Sequence, residues 1–289
     1  MPQGLQSARQ IARPTIRVGQ FDTRNVRCWQ GARDDTLAEI HFPHSYIAPP
    51  RLPHGFRYLD ADQGKGLHVK ATIGDIQEAS AVYHATSWAS TTLYSAVVTS
   101  LNLAPANIDF DTGEHRRDLV NDPLSPASVP IQFGRPFVTP PKVAVFFNLI
   151  DIDPKDGCRI RTTTTKIDNK GFTLTIESWG DTDLRCAQAC WIAFPEDRKH
   201  VFLTSVNTAQ KDVPLVERKW SKAINLTQVN FWRMPDVFVA LNELDFDGGV
   251  GLRMNAYVDN VATSGLTWHL KTWSDSILRS AGATIIAVN

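Results

Sequence analysis

Four kinds of residue recur along this chain at one fixed pair of spacings, and three of them carry side chains that can do chemistry. Carboxylates accept hydrogen bonds, guanidinium and imidazole groups donate them, and an indole ring stacks on apolar surfaces. Separations of 91 and then 94 positions relate Asp60, Asp151 and Asp245; His68, Arg159 and Arg253; Trp88, Trp179 and Trp273; and Pro50, Pro141 and Pro235. Four sets with the same offsets indicate three copies of one module of about 90 residues.

Composition and charge restrict the classes of partner. The 289 residues are 43% hydrophobic, and 30 basic side chains balance 30 acidic ones. Such a chain has no electrostatic footprint for nucleic acid or for an anionic membrane. After a tail over 1–17, we expect modules over 18–105, 106–199 and 200–289.

The sequence shows no secretory signal peptide and no apolar run of the ~20 residues that a membrane span requires. We therefore expect a protein that is cytoplasmic, or exported without a signal peptide, and that does not insert into membranes. Four cysteines do not recur at the module spacing. This pattern favours reduced thiols over a disulfide framework.

The apolar pattern predicts an all-β fold. In FTLTIESW (172–179), alternate residues share one face, which is typical of a half-buried strand. The run KVAVFFNLIDID (142–153) is apolar on both faces, as in a central strand, CWIAF (190–194) supplies another, and the turn 168–171 indicates a hairpin. No module shows sustained helical periodicity, so the prediction is three tandem six-stranded antiparallel β-sandwich modules.

The same alternation puts the repeated tryptophans on the polar face of their strands. It also places His68, Arg159 and Arg253 outward, opposite inward apolar neighbours. Leaving a tryptophan on a polar face exposes a large apolar area. Two hypotheses explain this: each tryptophan seals the edge of a neighbouring module in a non-catalytic scaffold, or it stacks on the C–H face of a sugar ring whose hydroxyls bind arginine and aspartate.

A resemblance to a known family favours the sugar hypothesis. The stretch FGRPFVTPPKVAVFFNLIDID (133–153), followed by RIRTTTTKIDNKGFTLTIESW, resembles the H-type lectin domain of snail agglutinins and discoidins. The likeness extends over most of each module. It implies a pseudo-trimer that binds glycans with terminal Gal or GalNAc at sites between modules, without a cofactor or a metal ion.

The resemblance also implies site residues. In module two, the acid of the family falls on Asp122, its arginine on Arg159, its stacking tryptophan on Trp179, and a later aromatic position on Arg185. The corresponding residues elsewhere are His68, Trp88 and Tyr94 in module one, and Arg253, Trp273 and Arg279 in module three, where Glu217 lies near the position of the acid. Module two alone keeps the acid, the arginine and the tryptophan, which predicts the strongest site there.

The repeated Asp-x-Asp steps allow other interpretations. Calcium needs six to eight oxygen ligands, and hydrolysis of a glycoside needs two carboxylates of which one has a raised pKa. We favour strand-end turns over both, and we expect no enzyme activity. Because the family stacks two trimers, we also expect the chain to form a homodimer of pseudo-trimers.

Overall fold

The computed structural model of the protein describes residues 16–62, 66–153, 157–209 and 219–289. Within these ranges the chain forms 18 strands and two single-turn 3₁₀ helices, Thr23–Asn25 and Thr227–Val229. The predicted all-β class is confirmed. No helix among the described residues is long and apolar enough to cross a membrane.

Each module contributes six strands. Module one contains β1 Arg17–Asp22, β2 Asp35–His41, β3 His54–Asp62, β4 Leu67–Gly74, β5 Ser80–Ser87 and β6 Thr92–Asn102. Module two contains β7 Asp111–Asp118, β8 Ser128–Gln132, β9 Lys142–Asp153, β10 Gly157–Thr165, β11 Gly171–Ser178 and β12 Asp183–Phe194. Module three contains β13 Val201–Asn207, β14 Lys219–Asn225, β15 Asp236–Asp247, β16 Leu252–Ala262, β17 Gly265–Lys271 and β18 Leu278–Val288. The proposed module boundaries themselves stay a prediction.

Local sequence accounts for the strands of module two. The central strand β9 is buried on both faces, as its unbroken apolar run predicts. The predicted hairpin joins β10 to β11, and its turn is fixed by Asp168, whose carboxylate accepts the backbone N–H groups of Lys170 and Gly171 at 2.7 and 2.9 Å. In β11, the buried apolar residues Phe172, Leu174 and Ile176 alternate with half-buried polar residues, which confirms the period of two.

Each six-stranded sheet is shared by two modules. The strand orders are β1-β6-β3-β16-β17-β14, β2-β5-β4-β9-β12-β7 and β13-β18-β15-β10-β11-β8. We call the strand pair β4 and β9 junction 1/2, the pair β10 and β15 junction 2/3, and the pair β16 and β3 junction 3/1. The three junctions close a ring, so the predicted pseudo-trimer is formed within one chain.

A second hydrophobic core lies on the axis of this ring. It joins residues from all three modules, and the rings of Phe146 and Phe238 approach to 4.8 Å between centroids. Two equivalent polar contacts also join modules: the hydroxyls of Thr99 and Thr284 donate to the backbone carbonyls of Val239 and Val145 in the neighbouring module, each at 2.7 Å. A fully buried phenylalanine stabilises a fold by about 1.5–3 kcal/mol, so the axial core binds the modules together.

The antiparallel register gives the ring two distinct ends. The strands β3, β9 and β15 all finish at one end, which we call the upper end, and the Asp-x-Asp steps lie there. The loops that precede β6, β12 and β18 return at the same end and carry the three repeated tryptophans. The opposite, lower end carries the loops 42–53, 133–141 and 226–235.

Candidate functional site

The repeated basic residue of one module pairs with the repeated acid of the next. Backbone register aligns them directly across all three junctions. The contacts are His68 Nδ1 to Asp151 Oδ1 at 2.7 Å, Arg159 Nε to Asp245 Oδ1 at 3.4 Å, and Arg253 Nε to Asp60 Oδ1 at 3.3 Å. These two sets of landmarks therefore form inter-module contacts, ion pairs at junctions 2/3 and 3/1 and a hydrogen bond at junction 1/2.

These carboxylates are partly withdrawn from water. Burial raises the pKa of Asp60 and of Asp245, while Arg253 and Arg159 respectively act in the opposite direction. Removing one partner of such a pair leaves an uncompensated charge in a poorly solvated place, which is costly. Each ion pair thus fixes its basic side chain at the junction.

A β-bulge stands beside each Asp-x-Asp step. The register skips Tyr94 in β6, Arg185 in β12 and Arg279 in β18, three residues that again share the module spacing. A bulge redirects a side chain relative to the regular strand. Arg185 donates to both oxygens of Asp153 at 3.1 Å, and Arg279 donates to Asp247 at 2.9 and 2.7 Å. In modules two and three the bulges therefore aim Arg185 and Arg279 at the second aspartate of the step.

A hydroxyl fastens each tryptophan loop to the strand that carries the basic residue. Thr182 Oγ1 donates to the carbonyl of Gly157 at 3.2 Å and accepts the backbone N–H of Arg159 at 3.0 Å. Thr91 does the same with Gly66 and His68, and Ser276 donates to Gly251. We call these contacts the hydroxyl latches. They were not predicted, although their residues share the module spacing and could have been found by it.

A glycine stands two residues before each basic residue because that side chain folds back over it. A Cβ at Gly157 would lie 2.7 Å from Cζ of Arg159, and one at Gly66 would lie 2.7 Å from Nε2 of His68. Gly251 stands in the same relation to Arg253. No side chain fits at these positions without moving the basic group.

All three repeated tryptophans are half-buried. Trp273 stacks on Tyr58 of module one, with ring centroids 5.3 Å apart and planes 28° apart. Trp179 lies beside the Arg161 guanidinium at 5.5 Å, and Trp88 lies 5.8 Å from the ring of His68. Each tryptophan keeps part of its surface accessible while it contacts protein.

The prediction that His68 faces solvent is wrong. Its side chain is 3% exposed and is hydrogen-bonded to Asp151. The imidazole is too short to reach the surface from the junction, where the longer Arg159 and Arg253 remain half-buried. His68 therefore holds Asp151 at the junction, and its predicted part in sugar binding stays a prediction.

The sheets distribute the remaining predicted residues by junction. Arg159 and Trp179 belong to the half of module two that meets module three. Asp122 is exposed on the loop that follows β7. The strand β7 pairs with β12, which carries Arg185, in the half of module two that meets module one. That Asp122 joins Arg159 and Trp179 in one module-two site stays a prediction. Glu217 lies outside the described residues.

Arginine already occupies the place that a calcium ion would need at junction 2/3. Arg159 Nη2 is 3.7 Å from Asp247 Oδ1, and its Nη1 pairs with Asp181. The Arg159 guanidinium is therefore close to three carboxylates, those of Asp181, Asp245 and Asp247. This arrangement suits an arginine donor held for hydrogen bonding and does not suit an oxygen cage for a cation.

Junctions that combine a half-buried indole ring with an aspartate and a basic side chain are typical of a carbohydrate-binding lectin. The H-type lectin domain matches the chain three times, over residues 37–99, 128–194 and 222–288. These matches cover more than half of the chain, and the chain belongs to the H-type lectin domain family. Domains of this family are generally non-catalytic.

Two further similarities are more distant. The protein of the ATP synthase subunits region ORF 7 of Fuscovulum blasticum is 32% identical over 63 residues, which is 22% of this chain and 55% of that protein. The chain thus matches about half the length of that relative. Discoidin II of Dictyostelium discoideum shares 14% identity over 56% of this chain and 78% of its own, with a TM-score of 0.25 that supports no further conclusion.

Proposed function

We propose that the chain binds glycans with terminal Gal or GalNAc at its three junctions and does so without catalysis. The observation that carries this proposal is the repeated convergence, at one end of the ring, of a half-buried tryptophan, an inter-module ion pair and a bulge residue. A pyranose offers an apolar C–H face to the indole and hydroxyls to the charged groups.

A glycan array of the whole chain tests the specificity. We expect the bound glycans to share terminal Gal or GalNAc. A variant with Trp88, Trp179 and Trp273 all changed to alanine is the control and should lose these signals. An array on which only mannose or glucose ligands bind, or none, contradicts the proposal.

A scaffold function is the second candidate, and one contact favours it. The stack of Trp273 on Tyr58 joins modules three and one, as a tryptophan that seals a module contact should do. Under this hypothesis Trp273→Ala lowers thermal stability and no sugar binds to any junction.

For assembly, we propose a homodimer formed through the lower end. Ile47, Val138 and Trp232 share the module spacing, stand on the three lower loops and are 88%, 99% and 68% exposed. Three equivalent apolar tips favour an isologous contact with a second copy. A cleft of about 760 Å³ beside Val138 offers a recess for such a tip.

Light scattering tests this assembly. The chain of 32.2 kDa should scatter as a particle of about twice that mass, and Val138→Asp should convert it to a monomer. The matched control is Val120→Asp, an exposed valine at the upper end, which should leave the mass unchanged. A monomeric unmodified chain contradicts the dimer.

A further inference from the structure

Three side chains of types that bind transition metals meet at junction 1/2, beside the axial core. His54 begins β3 of module one, while Glu114 lies on β7 and Cys190 on β12 of module two. One ligand atom from each of the three lies within 4.8 Å of the other two. The distance from Cys190 Sγ to Glu114 Oε1 is 3.1 Å. The cluster therefore spans two modules, and the three repeated tryptophans are not part of it.

Thiol, imidazole and carboxylate replace other side chains at this junction. The module spacing aligns Cys190 with two threonines and His54 with two valines, while sheet register places glutamine and serine where Glu114 stands. The corresponding sets are Thr99, Val239 and Gln20 at junction 3/1, and Thr284, Val145 and Ser205 at junction 2/3. At those junctions the threonine hydroxyl donates to the carbonyl of the valine. Because a thiol is a weak donor, the change to cysteine weakens that contact and brings three metal-binding types together.

A buried amide beside the cluster is only half satisfied. Asn148 is 1% exposed, and its Nδ2 donates to Glu114 Oε1 at 2.9 Å and to Cys190 Sγ at 3.2 Å. Its Oδ1 is buried and has no hydrogen-bond partner among the described residues. Turning the amide over exchanges the two atoms and brings an oxygen to the cluster. Asn148 thus offers a fourth ligand atom.

The His54 ring is also poorly satisfied as a neutral group. Its Nδ1 lies 2.9 Å from the carbonyl oxygen of Leu52, and its Nε2 lies 3.2 Å from that of Ala71. A neutral imidazole has one N–H, so one of these nitrogens presents a lone pair to an oxygen. A second proton relieves this contact, and so does a metal ion toward which the ring turns.

The donor set selects the class of ion. Sulfur, imidazole nitrogen and carboxylate oxygen suit zinc, whereas calcium and magnesium prefer oxygen ligands. With bonds of about 2.0–2.3 Å, the ligands of tetrahedral zinc lie roughly 3.5 Å apart. The Cys190 sulfur and the Glu114 oxygen already meet that spacing. A shift of about 1 Å by the His54 ring completes it.

We propose that junction 1/2 binds one zinc ion through His54, Glu114 and Cys190, with Asn148 as the fourth ligand. The thiol gives its proton to solvent as the zinc–sulfur bond forms. The ion then joins module one to module two and stabilises the closed ring. Asn148 lies three residues before Asp151 on β9, which is about 10 Å along a strand. The zinc site is therefore separate from the proposed sugar site of this junction.

A metal titration of the whole chain, freed of metal with a chelator, tests this site. Cobalt(II) is the probe, because a cobalt–thiolate bond has an absorption band that a site made of carboxylates lacks. We expect one cobalt ion per chain with this band, its displacement by zinc, and a higher unfolding temperature with either ion bound.

Two variants install the residues of the other junctions, whose contacts the fold already accommodates. Cys190→Thr should abolish the thiolate band. Both Cys190→Thr and His54→Val should weaken cobalt binding by more than about tenfold, since the loss of even an outer contact costs about that much. The matched control is Cys28→Ser, which removes an exposed thiol and should change neither the band nor the stoichiometry.

A chain without the band, or a band that survives Cys190→Thr, overturns the inference. Unchanged cobalt affinity in His54→Val also overturns it, because the ring is then a protonated imidazole and not a ligand. Galactoside affinity should be equal with and without zinc. A failure of the sugar sites would therefore leave the outcome of the metal titration unchanged.

Discussion

At the scale of single residues, the position of each basic group depends on the glycine two residues before it. The sequence predicted the acids, the basic residues and the tryptophans because their types and spacing repeat. It did not predict that His68 is buried, since side-chain alternation cannot show that a neighbouring module closes over a strand end. The glycines share the same spacing, but their need for an empty Cβ position appears only in three dimensions.

Gly157→Ala should weaken sugar binding at junction 2/3 and also lower stability, because the new Cβ would lie 2.9 Å from the backbone carbonyl oxygen of Phe246. The new methyl group would displace the flexible end of Arg159 from its ion pair with Asp245. We expect affinity at this junction to fall about tenfold, as for the loss of one charge-assisted contact. The check is a galactoside titration in a background with Trp88→Ala and Trp273→Ala. The control Gly74→Ala adds a methyl group with nothing within 4 Å and should change nothing.

At the scale of elements, each site joins a strand to a loop through a hydroxyl latch. Alternation and turn residues predicted β9, β10, β11 and β12 because local patterns determine them. The shared sheets and the bulges could not be predicted, since both depend on which strand lies alongside. The latch at Thr182 ties the loop of Trp179 to the strand of Arg159.

Thr182→Val keeps the side-chain shape and removes both latch hydrogen bonds. An unsatisfied carbonyl and N–H cost about 1 kcal/mol at such a half-buried place. We expect fivefold to tenfold weaker galactoside binding at junction 2/3, measured in the same background as for Gly157→Ala. Thr182→Ser restores the hydroxyl and should restore the affinity. A loss that Thr182→Ser does not reverse would show that shape, and not the hydrogen bonds, positions Trp179.

At the scale of the whole molecule, sheets that cross the junctions make the three modules one unit. No module holds a complete sheet, because half of every six-stranded sheet belongs to its neighbour. The three proposed sites also face one way, which is the arrangement that raises apparent affinity when several weak sites act together.

Thermal unfolding should therefore be a single transition. Calorimetry should give equal calorimetric and van't Hoff enthalpies, as for one cooperative unit. Residues 106–199 expressed alone should not form a folded monomer, because the β9 and β10 edges would be unpaired. Three separate transitions, or a stable monomeric module, would contradict the shared-sheet account.

The number of galactosides bound per chain tests the central claim most directly. Calorimetric titration of the intact chain with methyl β-galactoside should give three sites, and each of Trp88→Ala, Trp179→Ala and Trp273→Ala should remove one. The triple variant should stay folded, with an unfolding temperature lowered by the loss of the Trp273–Tyr58 stack, and bind none. Full binding by a folded triple variant would show that the sugars bind away from the junctions.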